Sequence, residues 1–499
     1  LSTSSSSSSS RTTSSANYSS QDQNNDEYYD DDNKATASSQ SYATSSSFPV
    51  IVADATTTTT TTTTTTKTTT KTAVAAAASK GERENKGGGG GVVHDAKECD
   101  DDKQDDGSDN NNHTNKEDYF HHQPSPAAAL APPPLVRQNS FPGLHVKGDD
   151  KLTLDDVTAM MDRCREYQVI SEALLYRIIT EAKQILEEEP NVNRITISSK
   201  KTMVVVGDLH GQLEDLLHIF TLKGIPSTNN MYLFNGDFVD RGDQSCEVVL
   251  ILFAFKILFP TSVYLNRGNH EATDMTEDHG FKAECLEKYP NSDVYELYSD
   301  AFACLPIATI LNGQVFVVHG GIAGHFEKDD ALYPILPHRF HPIKSIKEIE
   351  EIDRFQFRET PNQTPLEGLL WSDPRDSWDI DEEEDDYEEY SNMKEEGKYW
   401  NVDADGTFNG IMPNIPRADA GTVFGADACR DFLQLVGCHL LVRSHEYKEE
   451  GFEVSHGGKC LTVFSASCYV GESSNKGAIA IFSLPSPPRP PQEEEEEEE

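Results

Sequence analysis

The chain has 499 residues, of which 85 are acidic and 42 are basic, and its formal net charge is −43 at pH 7. This negative charge repels nucleic acids and anionic membranes, so neither is expected as a partner, and proteins with basic surfaces are favoured instead. The sequence has no apolar run of about 18 residues, and residues 1–70 show no charged-then-apolar signal peptide. Nine cysteines without zinc-type spacing predict reduced thiols in the cytoplasm or nucleus.

Low-complexity sequence dominates residues 1–150. Runs of Ser, Thr, Ala and Gly alternate with an acidic stretch at 100–112, and a Pro/Ala-rich linker follows at 124–134. Such a composition cannot bury enough apolar surface to offset the entropy of ordering, so the region is predicted to be disordered. The Pro-rich and poly-Glu tail at 485–499 is predicted to be disordered as well. A single folded domain is therefore expected over residues 151–484.

Two helices are predicted at the start of this domain. Thr153, followed by Asp155 and Asp156, resembles a helix cap, and Ser171 precedes a second helix that runs to Pro190. The Leu and Ile residues between positions 174 and 186 keep helical spacing, which indicates core packing rather than a binding face.

Three short apolar strands are predicted next, at 203–206, 231–234 and 262–265, with helices at 213–220 and 246–259 between them. Alternating strands and helices are typical of a layered α/β core, in which ligands collect beyond the carboxyl ends of the strands. A polar motif follows each strand: Gly-Asp-Leu-His-Gly at 207–211, Gly-Asp-Phe-Val-Asp-Arg-Gly at 236–242 and Gly-Asn-His-Glu at 268–271. This arrangement indicates a phosphate-ester hydrolase with two metal ions.

Two further predicted strands, at 315–318 and 439–442, each lead to a histidine. Potential metal ligands are therefore expected to converge at one rim: Asp208, His210, Asp237, Asn269, His319 and His445. Three oxygen donors and three imidazoles suit two borderline divalent ions with one bridging carboxylate, and manganese, iron and zinc all fit such a set.

These motifs resemble the metallophosphoesterase fold and, within it, the phosphoprotein phosphatase family of Ser/Thr protein phosphatases. The resemblance covers residues 153–484 and includes Leu-Leu-Trp-Ser-Asp-Pro at 369–374 and Arg-Ser-His-Glu at 443–446. The EF-hand-bearing branch is the most similar, although no EF-hand pair accompanies the motifs. The resemblance implies an α/β fold in which a two-sheet β-sandwich is flanked by helices.

The resemblance also implies roles for individual residues. Asp208, His210 and Asp237 would hold the first metal, and the second would be held by Asp237, Asn269, His319 and His445. A hydroxide that bridges the two metals would attack the phosphorus in line. His270, oriented by Asp240, would protonate the leaving Ser or Thr oxygen. Further residues would bind the phosphate: Arg241 and Arg267 as bidentate clamps, with Arg417 and Tyr469 as additional candidates.

Purely structural roles remain open for several of these residues. Arg241 and Arg267 could be structural ion-pair residues, Asp240 a turn residue, and Tyr469 a core aromatic. Arg417 stands one residue further from the following Phe-Gly than the family pattern expects. The Pro-Asn that the family has before the tyrosine is replaced here by Ser-Cys at 467–468, which removes a rigid turn residue.

An acidic insertion is predicted at about 376–413, with residues 381–390 almost entirely Asp, Glu and Tyr. Residues 401–406 resemble the start of a calcium loop, but Met412 stands where the loop needs a Glu. The insertion could favour phosphosites flanked by basic residues, and the poly-Glu tail at 493–499 could fold back over the metals as a phosphate mimic.

The predicted function is hydrolysis of phosphoserine and phosphothreonine in proteins. The predicted partners are phosphoprotein substrates and a regulatory protein or subunit. One alternative is a metallophosphoesterase for small phosphoesters such as dinucleoside polyphosphates. Another is a non-catalytic scaffold that binds phosphoproteins, but no expected metal ligand is missing from the sequence.

Overall fold

The computed structural model describes residues 151–327, 339–377, 400–414, 417, 420–471 and 473–484, together with three strands at 50–54, 60–63 and 72–74. The acidic run at 381–390 and the poly-Glu tail lie outside the described residues, so the two regulatory predictions that involve them stay predictions.

The helices are α1 Leu154–Arg165, α2 Glu172–Glu188, α3 Leu213–Lys223, α4 Ser245–Leu258, α5 Thr273–Thr276, α6 Phe281–Lys288, α7 Val294–Phe302, α8 Lys347–Glu350, α9 Pro365–Trp371 and α10 Ala426–Val436. The strands are β1 Val50–Asp54, β2 Thr60–Thr63, β3 Thr72–Val74, β4 Val192–Ile195, β5 Thr202–Val206, β6 Asn230–Phe234, β7 Val263–Leu265, β8 Ala308–Leu311, β9 Val315–Val318, β10 Gly324–Glu327, β11 Arg339–Pro342, β12 Asp373–Pro374, β13 Trp400–Val402, β14 Phe408–Pro413, β15 Thr422–Phe424, β16 Leu440–Arg443, β17 Phe452–Ser455, β18 Cys460–Val463 and β19 Ile479–Ser483.

Two sheets form the centre of the domain. The first has the strand order β3-β2-β1-β19-β5-β6-β7, and the second has the order β17-β18-β16-β9-β8-β4. Strands β5, β6 and β7 run parallel to one another, as do β9, β16 and β18. Because parallel strands end at the same edge of a sheet, the loops after them meet at one rim.

Alternating side chains hold the layers together. Met203 and Val205 of β5 face the core between the sheets, whereas Val204 and Val206 face the helices. In the second sheet Val317 faces the inter-sheet core and Phe316 faces α10 and its neighbours. A strand that is buried on both faces is apolar at every position. The predicted two-sheet sandwich flanked by helices is confirmed.

The first two helices follow the sequence prediction closely. Thr153 and Asp156 form a capping box at the start of α1, with each side chain accepting a hydrogen bond from the other residue's backbone. The Leu and Ile stripe of α2 is buried in the core that covers the first sheet. Ser171, however, makes no capping hydrogen bond with its side chain, so burial of the apolar stripe stabilises α2 more than its cap does.

Two regions differ from the sequence prediction. Within residues 1–150 three short strands are described, and β1 extends the first sheet by pairing in parallel with β19. Strand β2 pairs with the other side of β1, so β1 lies inside the sheet, and its β-branched Val-Ile-Val sequence suits a strand. Within the predicted insertion, β13 and β14 form a hairpin whose turn is closed by hydrogen bonds between the backbones of Asp403 and Thr407 and of Gly406 and Asp403. Met412 is buried there, and residues 403–407 form the turn of this hairpin.

Candidate metal centre and catalytic site

Loops from both sheets bring the predicted metal ligands together. Asp208, Asp237 and Asn269 lie just after β5, β6 and β7, and His319 and His445 follow β9 and β16. The loops are packed tightly, because a Cβ atom at Gly268 would lie 2.3 Å from Oδ1 of Asp237. A residue larger than glycine would push these two loops apart.

Two groups of side chains could each hold a metal ion, and they share Asp237. The first contains His210, Asp237 and His270, and the second contains Asp237, His319 and His445, with the ligand atoms of each group within 4.8 Å of one another. Nε2 of His210 lies 3.6 Å from Oδ2 of Asp237, and Nε2 of His319 lies 3.3 Å from its Oδ1. Each carboxylate oxygen of Asp237 therefore faces a histidine of a different group.

Backbone carbonyls fix the orientation of two of the imidazoles. Nδ1 of His210 donates to the carbonyl of Val239 at 2.9 Å, and Nδ1 of His319 donates to the carbonyl of Asn235 at 2.8 Å. Because Nδ1 carries the proton in each ring, the Nε2 lone pair points towards the carboxylates. This arrangement is the usual one for a histidine that binds a metal.

Several hydrogen-bond acceptor atoms face one another at the centre of the site, an arrangement that suits bound cations. Oδ1 of Asn269 lies 2.8 Å from Nε2 of His319 and 2.9 Å from Nδ1 of His445. Rotation of the Asn269 amide would supply protons to these acceptors, but Oδ2 of Asp208 would remain buried without a partner. Divalent cations would satisfy all of these atoms. The His and Asp groups thus support divalent metal binding.

Burial controls the protonation of these residues. It raises the pKa of Asp208 to about 7 and that of Asp237 to about 8, and it lowers the pKa of His210 and His445 well below the usual range. Neutral imidazoles are ready to bind a metal, while the two carboxylates need a nearby positive charge to stay ionised at neutral pH.

The backbone at the site is strained. Positive φ angles occur at non-glycine residues of the predicted set, namely His210 (43°), Asp237 (52°), Asp240 (70°), Arg241 (70°) and His445 (68°). Such conformations persist only where the surrounding structure enforces them, and they concentrate at functional sites.

His270 and Asp240 form a hydrogen-bonded pair beside the ligands. Nδ1 of His270 lies 2.6 Å from Oδ2 of Asp240, and Oδ1 of Asp240 accepts from the backbone N–H of Phe281 at 3.0 Å. Burial raises the pKa of Asp240 to about 7 and lowers that of His270 well below its usual range. The His270 ring also lies 4.8 Å from that of His210, so its Nε2 is close to the metal ligands.

Three of the four predicted phosphate-binding residues lie at this rim. The Tyr469 ring lies 5.0 Å from the His210 ring, and its hydroxyl interacts with Arg241, whose buried Nε has no hydrogen-bond partner. Arg417 donates from Nε to Oδ2 of Asp373 at 2.8 Å and from Nη2 to the carbonyl of His445. Its unusual spacing in the sequence thus still places Arg417 beside the metal ligands.

The structure corrects the prediction for Arg267. Its guanidinium is fully buried and donates to the backbone carbonyls of Glu271, Phe357 and Arg358. These bonds turn the side chain away from the rim and towards the segment before α9, so Arg267 holds loops in place and does not clamp phosphate.

Several supporting residues escaped the sequence analysis. Asp373 bonds to Arg417 and Arg443; burial acts to raise its pKa, but the two guanidiniums hold the pKa below the usual range. His279 lies with Asp240 and His270 in a further group of potential ligands. The motif Trp-Ser-Asp-Pro at 371–374 is the signal that marks Asp373, whereas no motif marks His279.

Comparisons with known proteins agree with this geometry. Residues 201–449 match the calcineurin-like phosphoesterase family. Serine/threonine-protein phosphatase 5 of Arabidopsis thaliana is 38% identical over 69% of this chain and 54% of its own length. Serine/threonine-protein phosphatase T of Aspergillus oryzae is 34% identical over 68% of this chain and 60% of its own length. The chain therefore spans little more than half the length of these relatives.

A solved structure is also similar to this chain. A protein serine/threonine phosphatase from Saccharomyces cerevisiae superimposes with a TM-score of 0.53 and 29% sequence identity, over 66% of this chain and 88% of that one. In the described residues, no helix is both long and apolar enough to cross a membrane. With its shared Asp237, its His270–Asp240 pair and its similarity to these phosphatases, the chain belongs to the calcineurin-like phosphoesterase family.

Proposed function

We propose that the protein hydrolyses phosphoserine and phosphothreonine in other proteins with the help of two divalent metal ions. The observation that carries this proposal is the pair of ligand groups that share Asp237, directly beside the His270–Asp240 pair. A reacting phosphate bound at the first group would lie next to a proton donor, as hydrolysis of an ester requires.

Four of the six predicted ligands belong to the two groups, and the other two lie beside them: Asp208 is 3.8 Å from His210, and Asn269 is 2.8 Å from His319. Asp208, His210 and Asp237 would hold the first ion, and the second ion would be held by Asp237, Asn269, His319 and His445. The ions would supply an activated water and neutralise the charge on the phosphoryl oxygens. Manganese, iron and zinc remain equally suitable for this ligand set.

His270 supplies the proton for the leaving oxygen. Its Nδ1–H bond to Asp240 fixes the ring, so that in the protonated ring Nε2 is the atom that carries and releases the proton. Asp240 is held in turn by the backbone N–H of Phe281, so the pair is positioned before the substrate arrives. Without this proton a serine or threonine alkoxide would have to leave.

Arg241, Arg417 and Tyr469 bind the phosphate. The side chains of the two arginines lie partly exposed at the rim, on loops after β6 and β14, so their guanidiniums can approach the phosphate from two sides. A planar guanidinium matches two phosphate oxygens, and the Tyr469 hydroxyl adds a third donor.

The substrate class and location follow from the relatives and the composition. Relatives that are 34–38% identical carry the name serine/threonine-protein phosphatase, which supports phosphoproteins as substrates. The eight cysteines in the described residues are all free thiols, as expected for the cytoplasm or nucleus. The strongly negative charge disfavours nucleic acids and anionic membranes as partners.

The test compares a phosphoserine peptide with a dinucleoside polyphosphate, each assayed with added manganese. We expect turnover of the peptide, with kcat reduced about a hundredfold or more in His270→Asn. His439→Asn changes an exposed histidine and serves as the matched control. Turnover of the dinucleotide alone would refute the proposed substrate class, and full activity of His270→Asn would remove His270 from its role.

A further inference from the structure

The loop that carries Tyr469 has an unusual support. We call residues 467–475, all described except 472, the tyrosine loop. Cys468 and Val470 in this loop have positive φ angles of 46° and 59°, which non-glycine residues adopt only when other contacts enforce them. The loop also begins with Ser467, which restricts the backbone less than a proline at this position would.

Asp215 binds the start of the loop with both of its carboxylate oxygens. The backbone N–H of Ser467 donates to Oδ2 of Asp215 at 2.7 Å, and the Ser467 hydroxyl donates to Oδ1 at 2.7 Å. Nε2 of Gln212 donates to Oδ2 of Asp215 and also to the carbonyl of Ser467. Every polar atom of Ser467 is therefore held by two residues at the start of α3.

Asn475 closes the other end of the loop. Its Oδ1 accepts from the backbone N–H of Tyr469 at 2.9 Å, and its Nδ2 donates to the carbonyl of Ala466 at 2.8 Å. The hydrogen bonds from Asp215 and Gln212 to Ser467 connect this loop to the first metal-ligand motif, because Gln212 directly follows residues 207–211. Asp215 is buried, so its hydrogen bonds are shielded from competing water.

We propose that Asp215 is a positioning residue for phosphate binding: together with Gln212 it takes over the role of the missing proline, fixing Ser467 and thereby holding Tyr469 over the metal ligands. This inference rests on the proposed function. A proline would limit the backbone at position 467 through its ring, whereas here the carboxylate limits it through charge-assisted hydrogen bonds. Asp215 acts only through the loop, because Tyr469 and not Asp215 faces the metal ligands.

The test uses the full chain with Asp215→Asn, in which a neutral amide replaces the carboxylate that accepts both Ser467 hydrogen bonds and removes their assisting charge. We expect KM for a phosphoserine peptide to rise about tenfold with kcat nearly unchanged, because Tyr469 contributes to binding and not to proton transfer. Adding Ser467→Pro to this variant should return KM to within about twofold of the wild-type value. Asp155→Asn, an exposed carboxylate in the first turn of α1, is the matched control.

Hydrogen–deuterium exchange measured by mass spectrometry gives a readout that does not depend on catalysis. Asp215→Asn should speed exchange in the tyrosine loop about tenfold while α10 keeps its wild-type rate. Ser467→Ala is a second variant, which can be used if Asp215→Asn folds poorly. It removes only the hydrogen bond of the hydroxyl and should therefore speed exchange in the tyrosine loop by a smaller factor. Unchanged KM and exchange in Asp215→Asn would overturn the proposal, as would failure of Ser467→Pro to restore KM. A wild-type protein without phosphopeptide activity but with the expected exchange pattern would refute the proposed function and leave the loop support intact.

Discussion

The two halves of the site are built in different ways. The first half consists of the metal ligands and His270, which follow their strands within a few positions, most of them in the three short motifs at 207–211, 236–242 and 268–271. The second half consists of the phosphate-binding candidates Arg417 and Tyr469, which depend on partners far away in the chain, such as Asp373 and Asp215. The first half is therefore encoded locally, and the second is encoded by long-range hydrogen bonds.

This difference has a physical origin. A ligand at the end of a buried parallel strand is fixed by the sheet itself, so its position follows from the strand alone. A phosphate-binding side chain on a loop has no such frame, and buried carboxylates provide one in its place. We therefore expect substitutions in the first half to abolish metal binding and chemistry, and substitutions in the second half to weaken substrate binding.

The largest effect is expected for Asp237→Asn. Because Asp237 belongs to both ligand groups, the variant should retain less than one metal ion per chain and lose about a thousandfold or more in kcat. His445→Gln removes a ligand from the second group only and should keep close to one ion. Metal content is measured by inductively coupled plasma mass spectrometry after gel filtration, with His439→Gln as control. Two ions in Asp237→Asn would contradict the shared position.

A smaller effect separates Arg417 from Arg267. Arg417→Ala should raise KM for a phosphopeptide about tenfold to a hundredfold, because a charge-assisted hydrogen bond to phosphate is lost. Arg267→Ala should leave KM within about twofold but lower the free energy of unfolding by about 3 kcal/mol, because it removes one buried and two partly buried hydrogen bonds. Peptide kinetics and urea unfolding measure the two quantities. An increase in KM for Arg267→Ala without a loss of stability would reinstate Arg267 as a phosphate clamp.

The same contrast explains how far the sequence could predict the molecule. The β-branched strands and the motifs after them identified the two sheets and the convergence of the six ligands. The direction of the Arg267 side chain could not be predicted, since two of its three partner carbonyls lie about 90 residues further along the chain. The support of the tyrosine loop by Asp215 escaped for the same reason, because its hydrogen bonds join residues 252 positions apart.

The smallest expected effect concerns pH and the locally encoded half. Burial raises the pKa of Asp208 to about 7 and that of Asp237 to about 8, above the values of about 4 expected in the unfolded chain. At pH 6 the metal-free folded protein therefore binds protons that the unfolded chain does not bind. Their contribution to stability is complete below about pH 4 and is lost as the pH rises through 7 to 8.

The melting temperature of metal-free protein should thus fall by at least about 3 °C between pH 5 and pH 8. Bound divalent ions favour the ionised carboxylates, so metal-loaded protein should keep or raise its melting temperature over the same range. Differential scanning calorimetry with and without manganese measures both slopes. Asp208→Asn should reduce the slope of the metal-free protein, whereas Asp155→Asn should not, since Asp155 is exposed. Equal slopes with and without metal would mean that the two carboxylates do not lie beside the ions, and the locally encoded half would lose its role as the metal centre.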